Sequence, residues 1–156
     1  MSARRVVIYG NAGSGKTTMA RTLGLPVLSL DDLAWAPGGV RAPLAESLAA
    51  LDAFFAAHAE WVVEGCYGDL IEAAATCCTE LRFLNPGTEV CIANAHSRPW
   101  EPGYCESSEE QQRLLGPLVE FIRAYETEPG EYGLARHRAI FDAFTGPKCE
   151  YTQQGA

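Results

Sequence analysis

No stretch of this 156-residue sequence approaches the roughly 20 consecutive apolar residues that a membrane-spanning helix requires. The start of the chain carries only the short apolar run Val6 to Tyr9 before Gly10, which is too short for the core of a signal peptide. These absences predict a cytoplasmic protein with no membrane partner.

The sequence also lacks the cysteine and histidine spacings that are typical of structural metal sites. Its six cysteines include no C-x-x-C pair, and a chain of 16.9 kDa can bury enough surface to fold without disulfides. No histidine has a metal-binding residue four positions later in the chain. We therefore expect free thiols and no structural zinc site.

Positive charge is scarce. Lys and Arg number 12 against 20 Asp and Glu, which gives a net charge of −8 that repels the phosphates of nucleic acid and of anionic lipid. The sequence is otherwise ordinary in composition, with 47% hydrophobic and 21% charged residues. We expect one domain over residues 1–156, present as a monomer or homodimer, with no nucleic-acid partner.

Short β-rich runs alternate with helical patterns, which is typical of an α/β fold with a parallel sheet flanked by helices in three layers. The sheet is predicted to have four strands or five, because no fifth strand is evident. Strands are predicted at 6–9, 27–30, 61–64 and 81–84, and helices at 43–59, after Tyr67, from Thr88 to about Ser97, after Ser107 and over 132–144.

One segment carries a specific motif, G-x-x-x-x-G-K-[ST], between the first predicted strand and a helical pattern. Its residues are Gly10, Asn11, Ala12, Gly13, Ser14, Gly15, Lys16 and Thr17, followed by Thr18. In this P-loop, or Walker A motif, the glycines let backbone N–H groups turn inward around phosphate oxygens. Lys16 supplies charge for the β and γ phosphates, and the Thr17 hydroxyl is placed to bind magnesium. The motif predicts binding of a nucleoside triphosphate, expected to be ATP, with Mg²⁺.

Acidic residues follow two predicted strands at the edge where a parallel sheet binds its ligands. Asp31 can hold or deprotonate an acceptor hydroxyl, and Glu64 can orient magnesium through its water shell. The alternatives are that Asp31 or its neighbour Asp32 caps a helix, and that Glu64 is a solvated acid in a turn.

These residues make the chain similar to the small P-loop kinases, a group that includes adenylate kinase, shikimate kinase and the bacterial topology modulation kinase-like proteins. The resemblance to the last of these lies in Leu30-Asp31-x-Leu33-x-Trp35 and in Trp61-Val62-Val63-Glu64-Gly65-x-Tyr67-Gly68. It extends from about residue 5 to residue 100. The resemblance implies strand order 2-3-1-4-5, a metal role for the acid that ends strand three, and a mobile lid that delivers an arginine to the phosphate.

Arg98 lies where the lid arginine is expected, at the start of a proline-rich segment over 98–106 that we predict to be a lid. The chain departs from the family pattern at Asn94, where a second arginine is usual, and at Cys66, where an asparagine is usual.

The small number of arginines beside the predicted strand ends limits which class of molecule can accept the phosphate. A nucleoside monophosphate needs arginines beside the second and third strands, and that region offers only Arg41. A hydroxyl acceptor fits better, held by Trp35, Arg41 and Tyr67 and activated by Asp31. We therefore predict an ATP- and Mg²⁺-dependent kinase acting on a small hydroxylated molecule, a nucleoside, nucleotide or shikimate-like metabolite, with Lys16, Asp31 and Arg98 as catalytic residues. The alternative is an ATP-binding regulator that hydrolyses slowly and acts through a protein partner.

The cluster Arg136-His137-Arg138 lies on the last predicted helix. At helical spacing Arg136 and Arg138 point about 200 degrees apart, so they cannot both face one ligand. The cluster is predicted to be a solvated face, with assistance to substrate binding as the alternative for one of its residues.

Overall fold

A computed structural model describes residues 3–100 and 106–153. Its strands are Arg5–Gly10 (β1), Val27–Ser29 (β2), Trp61–Gly65 (β3), Glu80–Leu84 (β4) and Lys148–Tyr151 (β5). Its α-helices are Lys16–Arg21 (α1), Asp31–Ala34 (α2), Leu44–Ala57 (α3), Gly68–Ala75 (α4), Thr88–Ser97 (α5), Ser108–Arg123 (α6) and Leu134–Ala143 (α7), and a 3₁₀ turn follows α6 at Ala124–Glu126.

The five strands form one parallel sheet in the order β2-β3-β1-β4-β5. Side chains alternate between its two faces, so Val6 and Ile8 of β1 pack with Ala20 of α1, while Val7 and Tyr9 pack with residues of α3, α4 and α7. The pair α5 and α6 has its own small core around Cys91 and Ile122. The sheet is therefore covered on both faces, as the apolar strands predicted.

The fifth strand corrects the sequence analysis, in which none was evident. Residues Lys148–Tyr151 add to the outer edge of β4, with Lys148 opposite Leu81 and Tyr151 opposite Leu84. The strand is polar because it lies at the edge, with Lys148 and Cys149 exposed.

Two helix ends are set by local geometry. Helix α5 begins at Thr88 with Gly87 at its N-cap, and the Thr88 hydroxyl donates to Glu126 at 3.3 Å. Helix α4 ends at Ala75, and of the two cysteines that follow it, Cys77 is exposed while the partly buried Cys78 packs against the main core.

Candidate active site

Two glycines of the P-loop are required by close backbone approach. A Cβ added to Gly10 would lie 2.2 Å from the carbonyl oxygen of Leu84, where β4 ends. A Cβ on Gly13 would lie 2.5 Å from the carbonyl oxygen of Cys91, and Gly13 has φ +78, which L-residues rarely adopt. The loop therefore fits between β4 and α5 only with glycine at these positions.

Side chains from distant segments fix the same loop. The Lys16 Nζ donates to the Asn11 carbonyl oxygen at 2.7 Å, and the Asn94 Nδ2 donates to the Gly13 carbonyl oxygen at 2.7 Å. The Asn11 Nδ2 donates to the Ile122 carbonyl oxygen at 3.2 Å. Asn94, noted above only because it replaces a usual arginine, thus anchors the P-loop to α5.

Glu64 and Thr17 place two oxygen groups together beside the P-loop. The Thr17 hydroxyl donates to the Glu64 carboxylate at 3.3 Å, and Glu64 is only 4% exposed, which contradicts the alternative of a solvated turn acid. Burial raises the pKa of Glu64 above its ordinary value, against the opposing charge of Lys16. A cation bound here would favour the ionised carboxylate.

These residues fit a magnesium ion. Mg²⁺ prefers hard oxygen ligands, and it usually takes one or two from the protein and the rest from water and phosphate. The Thr17 hydroxyl and the Glu64 carboxylate, 3.3 Å apart beside the P-loop, are two such oxygen groups. Within residues 3–100 and 106–153, the buried Ser14 Oγ of the loop has no hydrogen-bond partner. It is a polar atom that a ligand could satisfy.

Asp31 is held by an aromatic hydroxyl. The Tyr67 hydroxyl donates to Asp31 Oδ1 and accepts from the Trp35 indole N–H at 2.9 Å. Asp31 makes no capping hydrogen bond with its side chain, because the N-cap of α2 is Leu30. Burial raises the pKa of Tyr67 well above its ordinary value, so Tyr67 stays protonated as the donor. Asp31 is left as an oriented carboxylate at the end of β2.

An open cleft of about 1420 Å³ brings most of the sequence-predicted residues together. Those that line it are Ala12, Gly13, Ser14, Gly15, Lys16, Thr17, Thr18, Asp31, Trp35, Glu64, Tyr67 and Arg98. Gly10, Asn11 and Arg41 do not line it. Gly10 and Asn11 belong to the P-loop but contact β4 and α6 instead. Arg41 instead forms an ion pair with Asp69 at 3.3 Å.

Arg98 follows the last residue of α5 and lines this cleft. Its carbonyl oxygen accepts from the Gln111 side-chain amide at 3.1 Å, which ties the start of the predicted lid to α6. Of the predicted lid, residues 101–105 lie outside the described part of the chain. Phe121 and Tyr132 also line the cleft and were not predicted from the sequence, because they come from segments without a recognisable motif.

The solvated face predicted around His137 is wrong. His137 is fully buried, while Arg136 pairs with Glu72 at 2.8 Å and Arg138 pairs with Glu150 at 2.7 Å. The His137 Nε2 lies 2.9 Å from the carbonyl oxygen of Cys66. A carbonyl can only accept, so Nε2 is the donor, and the neutral ring accepts from the Tyr125 hydroxyl at Nδ1, 2.7 Å away. The ring thus holds the segment that precedes Tyr67.

Acid should destabilise the protein through His137. Burial lowers its pKa from 6.5 to about 4, so the contribution is complete above pH 6.5 and is lost as the pH falls towards 4. At 1.36 kcal/mol per pKa unit, this loss is about 2 kcal/mol between pH 7.5 and pH 5. We expect His137→Gln, which can still donate but does not titrate, to lose about 2 kcal/mol less than wild type over that interval in urea unfolding.

His96→Gln, on the exposed side of α5, controls for the removal of a histidine as such. Equal losses for the wild type and His137→Gln between the two pH values would contradict this assignment.

Comparisons with known proteins place the fold. No protein-family model matches the sequence, and no curated protein matches it. Among solved structures, the chain is similar to TT1252 from Thermus thermophilus, with 16% identity, a TM-score of 0.55, and coverage of 99% of this chain and 91% of that one. It is also similar to shikimate kinase from Bacteroides thetaiotaomicron, with 15% identity, a TM-score of 0.51, and coverage of 98% and 89%.

Both solved structures are similar to this chain in fold. Together with strand order 2-3-1-4-5, they confirm the predicted fold class, the α/β fold of P-loop kinases. In the described residues, no helix combines the length and apolar character needed to cross a membrane.

Proposed function

We propose that this protein is an ATP- and Mg²⁺-dependent kinase that transfers the γ-phosphoryl group to a hydroxyl of a small molecule. One observation carries the proposal: the P-loop and the oriented Asp31 carboxylate line the same cleft. A nucleotide-binding loop alone fits any P-loop protein. A base fixed by Tyr67 after β2, at the same edge of the sheet as the P-loop, is a feature that supports transfer to an acceptor.

In this mechanism the acceptor oxygen forms a bond to the γ-phosphorus as the bond between that phosphorus and the ADP oxygen breaks. The acceptor proton passes to the Asp31 carboxylate. The Lys16 ammonium and the loop N–H groups stabilise the negative charge on the phosphate oxygens. Thr17 and Glu64 would hold the magnesium ion, which when bound neutralises charge on the β and γ oxygens.

The test is acceptor-dependent ADP formation. Purified protein with ATP and MgCl₂ is incubated with pooled metabolites, and ADP is measured with and without each pool. We expect ADP formation to rise with one acceptor class and to return to its basal rate when that class is withdrawn. A basal rate that no pool changes, with ATP binding intact by calorimetry, would contradict the kinase proposal.

The second candidate is an ATP-binding regulator that hydrolyses slowly and acts through a protein partner. The observation that favours it is Asn94, a neutral side chain bonded to Gly13 where the related kinases usually place an arginine. A regulator should release phosphate at a rate that is indifferent to every metabolite pool. The same assay therefore separates the two candidates.

Arg98→Ala should lower kcat far more than ATP affinity. A lid arginine acts on charge that develops in the transition state, and arginines in this role contribute a factor of about 10³ to 10⁵ in other phosphoryl-transfer proteins. We expect kcat to fall at least about 10²-fold, with the Kd for ATP changing less than about threefold. Steady-state kinetics and calorimetry measure the two quantities.

Arg113→Ala is the matched control, since Arg113 is exposed on α6 and does not line the cleft. If Arg98→Ala changes kcat and ATP affinity equally, Arg98 contributes to the binding of ATP in the ground state and not to stabilisation of the transition state.

A further inference from the structure

Four aromatic rings contact one another in series in the lining of the cleft, and Tyr67 is buried within that series. Trp35 meets Tyr67 at 6.1 Å between ring centroids, Tyr67 meets Tyr132 at 5.4 Å, and Tyr132 meets Phe121 at 5.6 Å. Each contact is edge to face, and all four residues line the cleft. We call Trp35, Tyr67, Tyr132 and Phe121 the aromatic wall.

The aromatic wall leaves apolar surface exposed at both of its ends. Trp35 is 46% exposed and Phe121 is 39% exposed, and both line the cleft, so each presents apolar surface that a ligand could cover. Tyr67, inside the wall, also donates to Asp31. A molecule packed on these rings would therefore have its hydroxyl groups beside the proposed base.

The arginine that touches this wall is already neutralised. The Arg41 guanidinium lies over the Tyr67 ring at 5.0 Å from its centroid. Its Nε donates to the Ala34 carbonyl oxygen at 3.1 Å, its Nη1 to the Tyr132 hydroxyl at 3.1 Å, and its Nη2 to the Asp69 carboxylate at 3.3 Å. Each guanidinium nitrogen thus has an acceptor, and the charge is balanced by Asp69.

A second arginine near the wall is neutralised in the same way. Arg136 packs against Gly68, the residue after Tyr67, so closely that a Cβ there would lie 2.7 Å from the Arg136 Cγ. Its guanidinium pairs with Glu72 at 2.8 Å and with Glu131 at 2.9 Å. Arg41 and Arg136 therefore pack near the aromatic wall, but because acidic partners balance their charges, they offer no net positive charge to an acceptor.

We propose that the acceptor is an electrically neutral ring compound, a nucleoside or a sugar, that packs a flat face on the aromatic wall and presents a hydroxyl to Asp31. The inference rests on the proposed kinase function. Aromatic rings bind flat, weakly polar faces well. An acceptor carrying phosphate or carboxylate would instead bring its charge next to the Asp31 carboxylate, which repels it, while Arg41, the arginine that contacts the wall, is already paired with Asp69.

The experiment compares acceptors that differ in charge but keep a ring and free hydroxyl groups. Glucose is paired with glucuronate, and a nucleoside is paired with its 3′-monophosphate, each with ATP and MgCl₂. We expect kcat/KM for the neutral member to exceed that for the anionic member at least about tenfold in the pair that supports turnover. The two pairs also separate a sugar from a nucleoside.

Substitutions in and near the wall test its role directly. Phe121→Ala should raise the KM of the neutral acceptor about five- to tenfold with kcat nearly unchanged, because ring packing is lost. Leu114→Ala is the matched control, since Leu114 is an exposed apolar residue of the same helix that does not line the cleft.

Asp69→Asn should lower the preference for neutral over anionic acceptors at least about fivefold, because it leaves the charge of Arg41 unbalanced.

Three results would overturn the inference alone: equal or higher kcat/KM for anionic acceptors, an unchanged KM in Phe121→Ala, or an unchanged preference in Asp69→Asn. Absence of ADP formation with every acceptor, with ATP binding retained, would overturn the proposed function and this inference with it.

Discussion

Asp31→Asn should lower kcat about 10²- to 10⁴-fold, the range in which a general base contributes. The asparagine has nearly the same shape, and its side-chain oxygen can still accept the hydrogen bond from the Tyr67 hydroxyl. What disappears is the ability to take the proton of the acceptor hydroxyl. ATP affinity should stay within about threefold of the wild type, because the P-loop is untouched.

The neighbouring acid provides the control. Asp32 lies on the same short helix α2 and is exposed, as Asp31 is. Asp32→Asn removes the same charge, so it measures how much of the effect comes from the electrostatic field of the cleft alone. Acceptor-dependent ADP formation gives kcat, and calorimetry gives the Kd for ATP. Full transfer activity in Asp31→Asn would exclude Asp31 as the base.

The nucleotide side of the cleft could be predicted because the residues that form it lie close together in the sequence. Eight consecutive residues, from Gly10 to Thr17, carry the glycines, the lysine and the threonine together. Strands β1 and β3 contain the apolar runs Val6 to Tyr9 and Trp61 to Val63 that a buried parallel sheet requires, so the ends of both strands were predicted to within one residue. The proximity of Thr17 and Glu64 follows from these two elements, because β1 pairs with β3.

The acceptor side could not be predicted because residues far apart in the chain build it. Tyr132 and Phe121 reach the cleft from the C-terminal part of the chain, and neither belongs to a motif. Arg41 was expected to bind substrate because the sequence does not show that Asp69, 28 residues later, takes its charge. The fifth strand was missed for a related reason, since an edge strand buries too little surface to produce an apolar pattern.

Lys16→Ala should reduce turnover at least about 10²- to 10³-fold, the loss seen when one preorganised charge-stabilising donor is removed. The Lys16 ammonium acts at three points: on the phosphate oxygens, on the Asn11 carbonyl oxygen that it holds at 2.7 Å, and on the pKa of Glu64, which its charge lowers. Its loss therefore raises the pKa of Glu64 further. We expect weaker ATP binding and a rate deficit that grows as the pH falls.

The second of the two lysines in the sequence gives a close control. The Lys148 Nζ also donates to a backbone carbonyl oxygen at 2.7 Å, that of Phe141, but it lies on the edge strand β5 and does not line the cleft. Lys148→Ala should thus remove an equivalent charge and hydrogen bond while kcat and the Kd for ATP stay unchanged. Calorimetric titration with ATP and MgCl₂, and kcat measured at several pH values, compare the two variants. If Lys16→Ala and Lys148→Ala bind ATP equally well, the cradle formed by Gly10 to Thr17 does not hold a triphosphate, and the kinase assignment fails with it.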